Sequence, residues 1–331
     1  MIFAVFHALR LSKLPDQSKR EGMSGQPTSY YPISRFYQER FGGKVYKISV
    51  AVAETCPNRE GLKGMKTCTF CDQWGSAAYA ENLVKPLSQQ IEEVREVLRR
   101  KRGADRFLVY FQAYTTTFGK VSRLREQVEL ALSYSDVVGV VIGTRPDCVS
   151  QAFLDFVDEL SQRTFVAVEM GVQSFDEKTL MWLSRGHSAE QAVQSIERIA
   201  AKAPSVNLGV HLIFGCPNES DEWLIKTAEV CNRLPVHNVK LHHLHVLRGT
   251  ELENLYADGH FQPVEREEYF RRCGIFLRHL RPNMAVHRLA AFSPRADELI
   301  APAWSAYKME TYQLMLDYLK ENQIEQGQLY T

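Results

Sequence analysis

The sequence has no long run of apolar residues and no segment typical of export. Its N-terminal apolar stretch, residues 1–9, is interrupted by His7, follows no basic region and precedes no clear small-residue cleavage site. A helix that crosses a membrane needs about 20 predominantly apolar residues, and a signal peptide needs those flanking features. We therefore expect a cytoplasmic protein with no membrane partner.

The sequence also lacks an excess of charge of either sign. Its 40 Lys and Arg residues are nearly balanced by 39 Asp and Glu residues, for a formal net charge of +1. A dedicated nucleic-acid binder usually carries a basic field over a whole face. Contact with RNA must therefore be local, and the basic runs at residues 99–102 and 278–281 are either phosphate contacts or solvated helix faces.

The seven cysteines are odd in number and unevenly spaced, which favours a reducing compartment over a disulfide framework. Cys56, Cys68 and Cys71 form a C-x11-C-x2-C pattern, with Phe70 directly before the last cysteine. A structural zinc site generally needs four protein ligands, so zinc would have to recruit a distant histidine. A [4Fe–4S] cluster on three cysteines leaves one iron open for a cofactor or substrate. The spacing favours the cluster and leaves zinc as an alternative.

Short β-branched runs alternate with amphipathic segments along most of the chain. Helices are predicted over residues 87–100 and after Ser188, a suitable N-cap. Strand starts recur about every thirty residues, as in consecutive βα units, except where the cysteine loop follows the first strand. In α/β barrels such loops carry the chemistry. Strands are predicted at residues 45–50, 106–112, 137–143, 164–170, 206–214 and 238–246.

The same pattern divides the chain into three parts. Residues 1–40 have weak periodicity and a patch rich in Ser, Gln and Pro, which predicts an N-terminal extension with little independent structure. Residues 41–246 hold the alternating strands and helices of a barrel. Residues 247–331 are predicted to form a cap of helices and a short strand, within residues 284–289, on the same domain.

Eight motifs between Val45 and Trp304 are similar to those of the radical S-adenosylmethionine superfamily, and specifically of its YhcC/YtqA-like subgroup, which is related to the catalytic subunit of Elongator. The first cysteine gap is longer than in the usual C-x3-C-x2-C pattern, and this is itself a mark of the subgroup. The motifs are CPNREG, YFQAYTTTF, IGTRPDCV, VEMGVQS, LSRGH, HLIFG, LHHLHVLRGT and HRLAAFSPRADELIAPAWS.

The resemblance implies an α/β fold, a partial (β/α)6 barrel of the TIM type, with a [4Fe–4S] cluster on Cys56, Cys68 and Cys71. It implies an enzyme that binds S-adenosylmethionine at the open iron. An electron from a reductase or a flavodoxin-type donor would cleave this cofactor to methionine and a 5′-deoxyadenosyl radical, which abstracts a hydrogen from the substrate.

The resemblance also implies positions for the cofactor contacts. Phe70 would lie beside the adenine. Gln112 and Ala113 stand where many relatives carry a Gly-Gly-Glu run that holds the amino group of the cofactor. That run is missing here, so Glu169 in the fourth strand is expected to carry more of this contact.

Arg185 matches an arginine that pairs with the methionine carboxylate, a task suited to its planar charged fork. Gln173 and His211 occupy positions that line the same pocket. A purely structural use of Glu169, Gln173 or Arg185, as a polar group at a strand or helix end, stays open.

Three further groups have no assigned role. Cys216 follows the end of the fifth strand and is a candidate thiol near the substrate. Strand alternation places His243 and His245 on one side of the sixth strand and His242 on the other. The polar stretch at residues 287–297 is rich in groups that could orient a substrate.

The leading hypothesis for function is the modification of transfer RNA at the wobble uridine, by trimming a carboxymethylaminomethyl group to aminomethyl. It rests on the resemblance to Elongator and YtqA-type proteins. The sequence holds no acetyltransferase domain, which favours processing over side-chain addition. The alternatives are a radical enzyme for a small metabolite or cofactor precursor and, more distantly, a non-catalytic zinc-binding interaction protein.

Overall fold

The computed structural model describes residues 28–53, 55–75, 84–293 and 295–331. None of the helices in these ranges is long and apolar enough to span a membrane. The strands are β1 (Tyr46–Ala51), β2 (Phe107–Gln112), β3 (Val137–Thr144), β4 (Phe165–Gln173), β5 (Asn207–Phe214), β6 (Asn238–His243), β7 (Val246–Leu247), β8 (Ala285–Val286) and β9 (Leu299–Ala301). The helices are α1 (Ile33–Phe41), α2 (Leu87–Arg102), α3 (Val121–Leu132), α4 (Gln151–Ser161), α5 (Glu177–Trp182), α6 (Ala189–Lys202), α7 (Asp221–Arg233), α8 (Glu251–Ala257), α9 (Arg266–His279) and α10 (Lys308–Glu321).

The strands form an α/β partial barrel, as predicted. Seven parallel strands are hydrogen-bonded in the order β1-β2-β3-β4-β5-β6-β8. Their apolar character on both faces is typical of parallel strands that have helices outside and a filled interior, and the run from Phe107 to Phe111 in β2 is buried throughout. The six strands predicted from β-branched runs are confirmed with ends shifted by at most three residues, and the short strand predicted in residues 284–289 is β8.

Side-chain caps fix where the crossover helices begin. The hydroxyl of Ser188 accepts the backbone N–H of Gln191, whose side chain accepts the Ser188 N–H, so the predicted cap is a full capping box. Ser150 and Ser220 cap α4 and α7 through their hydroxyls. The C-terminal end of α2 is fixed by Gly103, which adopts a left-handed φ of 59°.

Helix α1 closes the amino-terminal end of the barrel. Its Tyr37 is 4% exposed and meets the ring of Phe165 edge-on, with the ring centroids 6.3 Å apart. Apolar side chains of β2, β3 and β4 join the same cluster. The expectation of little structure before residue 41 is therefore not met for residues 33–41, while residues 1–27 lie outside the described part of the chain.

The C-terminal part begins with a change of direction after β6. That strand ends at His243, earlier than predicted, and Val246–Leu247 leave the sheet to pair antiparallel with Leu299–Ala301. The helices α8 to α10 follow in the region predicted as a cap. The proposed division of the chain at residues 40 and 246 stays a prediction.

We expect Tyr37→Ala to lower the free energy of unfolding by about 3 kcal/mol, because it empties a buried aromatic site at the base of the barrel. Denaturant unfolding followed by circular dichroism measures this change. Gln38→Ala, at an exposed position of the same helix, should change stability by less than about 0.5 kcal/mol. Equal losses of stability in Tyr37→Ala and Gln38→Ala would contradict the role of α1 in closing the amino-terminal end of the barrel.

Candidate functional site

A cavity of about 340 Å³ opens at the carboxyl ends of the barrel strands. Its wall contains every residue that the resemblance assigned to the cluster or the cofactor. These ten are Cys56, Cys68, Phe70, Cys71, Gln112, Ala113, Glu169, Gln173, Arg185 and His211. The same wall also holds Thr115, Arg145 and Lys240, which sequence reasoning did not assign to it, and Arg288, from the polar stretch at residues 287–297.

The cysteine loop is tied to the segment that follows α5. The side-chain amide of Asn58 donates to the carbonyl oxygens of Lys66, at 2.6 Å, and of Ser184, at 2.7 Å. Gly186 permits this close packing, since a Cβ there would lie 2.2 Å from the sulfur of Met65. The segment therefore anchors the loop that carries the three thiols.

The donor set of the loop fits a three-cysteine cluster. Cys56 and Cys68 are buried, and burial together with the nearby Cys68 thiol raises the pKa of Cys71 to about 12. Thiolates in such a place need bound cations, which the irons of a cluster supply. Guanidinium nitrogens add positive charge, that of Arg185 at 3.3 Å from the Cys68 sulfur and that of Arg59 at 3.8 Å from the Cys71 sulfur. In the described ranges, no three His, Cys, Asp or Glu side chains are placed to hold a single metal ion.

Arg185 and Gln173 meet at the end of β4. The Nη2 of Arg185 donates to the carbonyl oxygen of Gly171 at 2.8 Å, and its Nε lies 3.3 Å from Nε2 of His187. β4 is irregular between Met170 and Gln173, and Gln173 has a left-handed φ of 70°. Such a conformation is strained for a residue with a side chain and is common at functional sites. The two predicted cofactor contacts therefore share one wall of the cavity.

The end of β2 is followed by a buried hydroxyl, that of Thr115, in the cavity wall. Ala113 and Tyr114 both have left-handed φ angles, 71° and 46°, and Thr115 follows them in the cavity wall. The Thr115 hydroxyl is buried and has no hydrogen-bond partner among the residues that the structure describes. A buried hydroxyl without a partner is costly, so this oxygen is suited to accept from an amino group of a ligand. All three threonines of the run at residues 115–117 are buried, and nothing in the run indicates which hydroxyl lacks a partner, so the sequence alone could not single out Thr115.

Glu169 lies in the barrel interior, with both carboxylate oxygens in use. Oε1 accepts from Lys47 Nζ at 2.5 Å, and Oε2 accepts from Lys240 Nζ at 3.1 Å and from His211 Nε2 at 2.7 Å. Burial alone would raise the pKa of Glu169, but Lys240 and Lys47 hold it well below its usual value. The cofactor contact expected of Glu169 stays a prediction, because its oxygens are shared among groups of the protein.

The histidines of the cavity are neutral at neutral pH. Burial and the charge of Lys240 lower the pKa of His211 to about 4, so its Nε2–H donates to Glu169 from an uncharged ring. Burial lowers the pKa of His245 to about 3, and burial lowers the pKa values of His242 and His243 well below the usual range. Positive charge in this part of the cavity therefore comes from lysine and arginine.

His242, His243 and His245 all line the cavity. The Nε2 atoms of His243 and His245 lie 3.0 Å apart, which agrees with their expected placement on one side, although β6 itself ends at His243. The Nδ1–H of His242 donates to the carbonyl oxygen of His243 at 2.7 Å. His243 also stacks on Trp304, with centroids 4.2 Å apart. The three rings form a packed wall of the cavity.

Cys216 lies outside the main cavity. It is buried, lines a separate smaller cavity, and its backbone N–H donates to Oε1 of Glu219 at 3.1 Å. Burial raises the pKa of the Cys216 thiol well above its usual value. The expected position near the substrate is therefore not observed.

The two basic runs are remote from the cavity mouth. Residues 99–102 form the last turn of α2, which leads into β2, and residues 278–281 span the end of α9, which leads into β8. A helix that leads into a parallel strand ends at the amino end of that strand, opposite the face that carries the site. These runs therefore do not line the entrance to the site.

Comparison with known proteins identifies the family. Residues 51–231 match the radical SAM superfamily, and residues 236–321 match the radical SAM C-terminal domain. Uncharacterized protein YtqA of Bacillus subtilis is 31% identical over 301 residues, which are 91% of this chain and 92% of that protein. Protein YhcC of Escherichia coli is 34% identical over 288 residues, which are 86% of this chain and 91% of that protein.

More distant matches include a tRNA enzyme and a solved structure. The tRNA uridine(34) acetyltransferase of Methanocaldococcus infernus is 30% identical over 134 residues, which are 40% of this chain and 24% of that protein. The structure of Elp3 from Methanocaldococcus infernus with an N-terminal deletion has a TM-score of 0.62 and 18% identity, over 85% of this chain and 64% of that one. At this identity the structural likeness shows the fold alone.

We expect Glu169→Gln to lower the free energy of unfolding by about 3–5 kcal/mol, because it leaves buried lysines without a counter-charge. Since the folded-state pKa of Glu169 is depressed, its contribution is full above the unfolded-state value, about 4.3, and is lost as the pH falls below it. Denaturant unfolding between pH 8 and pH 3 measures both effects. Glu159→Gln, at an exposed ion pair with Arg125, should cost less than about 1 kcal/mol. A loss for Glu169→Gln no larger than this would refute the central role of Glu169.

Proposed function

The chain belongs to the radical S-adenosylmethionine superfamily, as its motifs predicted, and we propose that this radical enzyme trims the wobble uridine of transfer RNA. In the proposed reaction, a carboxymethylaminomethyl group on the base is shortened to aminomethyl: abstraction of a hydrogen atom from the methylene next to the carboxylate, return of one electron to the iron–sulfur cluster and hydrolysis of the resulting imine by water would release glyoxylate and leave the amine on the base. The observation that carries the proposal is a single cavity in which three thiols and Arg185 lie above a cationic interior. The similarity to a tRNA uridine(34) acetyltransferase supports the choice of substrate.

The superfamily uses a [4Fe–4S] cluster and S-adenosylmethionine, which together supply a 5′-deoxyadenosyl radical that removes a hydrogen from the substrate. We assign the cluster to Cys56, Cys68 and Cys71. Arg185, held by the Gly171 carbonyl next to the Cys68 thiol, is placed to pair with the cofactor carboxylate.

The remaining cofactor contacts follow from the cavity wall. Phe70 packs against an apolar cluster and offers a flat surface to the adenine. The unpartnered hydroxyl of Thr115 is placed to accept from the cofactor amino group, beside Gln112 and Ala113 at the end of β2. Gln173 lines the wall next to Arg185, and the strain at its backbone fits a fixed polar contact.

His242 is suited to accept a hydrogen bond from the substrate amine. Its Nδ1–H is committed to the carbonyl oxygen of His243, so the Nε2 lone pair is available in the cavity wall. Burial holds the pKa of His242 well below its usual value, so the ring stays neutral and acts as a hydrogen-bond acceptor and not as a base.

We propose a flavodoxin-type protein or a reductase as the electron donor and transfer RNA as the macromolecular partner. The RNA would approach the cavity mouth, where the basic runs do not contribute. Near these runs, Arg271 is paired with Asp221 and Glu268, and Arg272 with Glu219. RNA affinity is therefore expected to be modest and to fall with salt only weakly.

The proposed function is tested by anaerobic cluster reconstitution, followed by dithionite reduction with S-adenosylmethionine and transfer RNA that carries carboxymethylaminomethyluridine. Mass spectrometry of the digested RNA should show aminomethyluridine, and chromatography should show 5′-deoxyadenosine. 5′-Deoxyadenosine with unchanged RNA would point to a small-molecule substrate. Bound zinc without sulfide or 5′-deoxyadenosine would favour the metal-binding interaction protein.

Replacing Cys56, Cys68 or Cys71 with Ala should abolish 5′-deoxyadenosine formation, because the cluster needs all three thiolates. Iron and acid-labile sulfide content, measured with the product, should fall in each variant. Cys231→Ala is the matched control, since this thiol lies on α7, buried in the apolar core, and its loss should leave both measurements unchanged. Full activity in any loop variant would remove that cysteine from the ligand set.

Arg185→Ala should weaken S-adenosylmethionine binding about 10-fold to 100-fold, the range for a lost hydrogen bond between charged groups. Equilibrium binding to the reconstituted protein measures this, and iron and sulfide content should stay unchanged. Arg163→Ala, at an exposed pair with Glu129, serves as control. Unchanged affinity would show that the carboxylate lies elsewhere.

A further inference from the structure

The barrel interior holds more positive than negative charge. Three cationic side chains, Lys47, Lys240 and Arg288, lie near one carboxylate, that of Glu169, which pairs with the two lysines only. The histidines around them are neutral and do not change this balance. The interior therefore carries a surplus of about two positive charges, which is costly in a buried place.

Arg288 has the weakest protein partner of the three. Its Nε lies 3.4 Å from the carbonyl oxygen of Leu241, and no carboxylate in the described part of the chain comes within 4.0 Å of its guanidinium. Burial, which disfavours its charged form, lowers the pKa of Arg288 from its usual value, although an arginine stays charged near neutral pH. Its fork of donors is shaped for a carboxylate, and it lines the cavity wall.

Lys240 lies near the guanidinium of Arg288. Its Nζ donates to Glu169 at 3.1 Å and to the Tyr110 hydroxyl at 3.3 Å, and it also lines the cavity. The charge of Arg288 contributes, after burial, to lowering the pKa of Lys240 to about 8, so the two cations repel each other. An anion between them would relieve this repulsion and complete the hydrogen bonds of Arg288.

We infer that Lys240 and Arg288 bind the carboxylate of the substrate, which in the proposed function is the carboxymethyl carboxylate of the modified uridine. This inference rests on the proposed function and names the group that is recognised. It makes the two cations specificity-determining residues: they select a uridine whose side chain ends in a carboxylate.

The depth of the site excludes the phosphates of RNA. Lys240 lies opposite His211 in the sheet, three residues before the end of β6 at His243, which places it roughly 10 Å below the strand end. A slender side chain can reach this level, whereas an RNA backbone cannot enter the barrel. The cofactor carboxylate is assigned to Arg185 beside the thiols, so the two carboxylates have separate partners.

The test compares the nucleoside 5-carboxymethylaminomethyluridine with its carboxamide as probes. Reconstituted protein with S-adenosylmethionine should bind the acid about 10-fold to 100-fold more tightly than the amide in calorimetry. Lys240→Met and Arg288→Met should lose this preference, while Arg288→Lys should keep part of it. Arg125→Met, at an exposed ion pair on α3, is the control and should behave as the unmodified protein.

A second measurement separates this inference from the proposed function. The KM for transfer RNA that carries the acid should rise in Arg288→Met but not in Arg125→Met, and the iron and sulfide content should stay unchanged in both variants. Conversion of the RNA with no preference for acid over amide would overturn the inference alone. Failure of the unmodified protein to bind either nucleoside or to convert the RNA would overturn the proposed substrate and this assignment together. Loss of cluster content in Arg288→Met but not in Arg288→Lys would assign Arg288 a structural role and overturn the inference.

Discussion

The ion pairs of Glu169 hold the interior of the barrel together. One carboxylate on β4 accepts hydrogen bonds from Lys47 on β1, His211 on β5 and Lys240 on β6. The side chain of Glu169 is only 1% exposed, so these contacts replace the water that the carboxylate has lost. A shift of one residue in any of these strands would turn its polar side chain out of the barrel, so the network also fixes the register of the sheet.

The network around Glu169 lies between helix α1, at the amino-terminal end of the barrel, and the three cysteine thiols, at the carboxyl ends of the strands. Helix α1 and the apolar side chains of β2, β3 and β4 seal the amino-terminal end, and Lys47 lies over the rings of Tyr37 and Tyr110. The cations that line the cavity, Lys240 and Arg288, lie above this closed end. In a space with so little water, an anion would interact with them more strongly than at the surface. The structural ion pair of Glu169 thus adjoins the anion site that we propose.

Much of the architecture could be predicted from the sequence, because short β-branched runs mark the buried strands and apolar residues at helical spacing mark the helices between them. The cysteine spacing and the motifs around it also located a set of residues that the fold brings to one cavity. The polar interior was harder to predict. Lys47 and Lys240 each stand alone in an apolar strand, and only the pairing register shows that both face Glu169.

Local exceptions to periodicity explain the other differences. Strand β6 ends at His243, three residues earlier than predicted, and no sequence signal marks that end. Helix α1 was missed because its apolar face packs on strands far along the chain, such as β4. The unpartnered Thr115 follows two left-handed residues, Ala113 and Tyr114, and no glycine marks this turn in the sequence.

The polar and charged side chains along β6 also favour one orientation of the proposed substrate in the cavity. Lys240 and His242 project from the same face of the strand, one level apart, because side chains two residues apart point the same way. In the proposed reaction, a carboxylate held by Lys240 and Arg288 would place the neighbouring amine toward His242, one level nearer the carboxyl end of β6. The methylene carbon between amine and carboxylate would then lie between these two levels. The proposed carboxylate site and the neutral histidine would thus both favour this carbon for hydrogen abstraction.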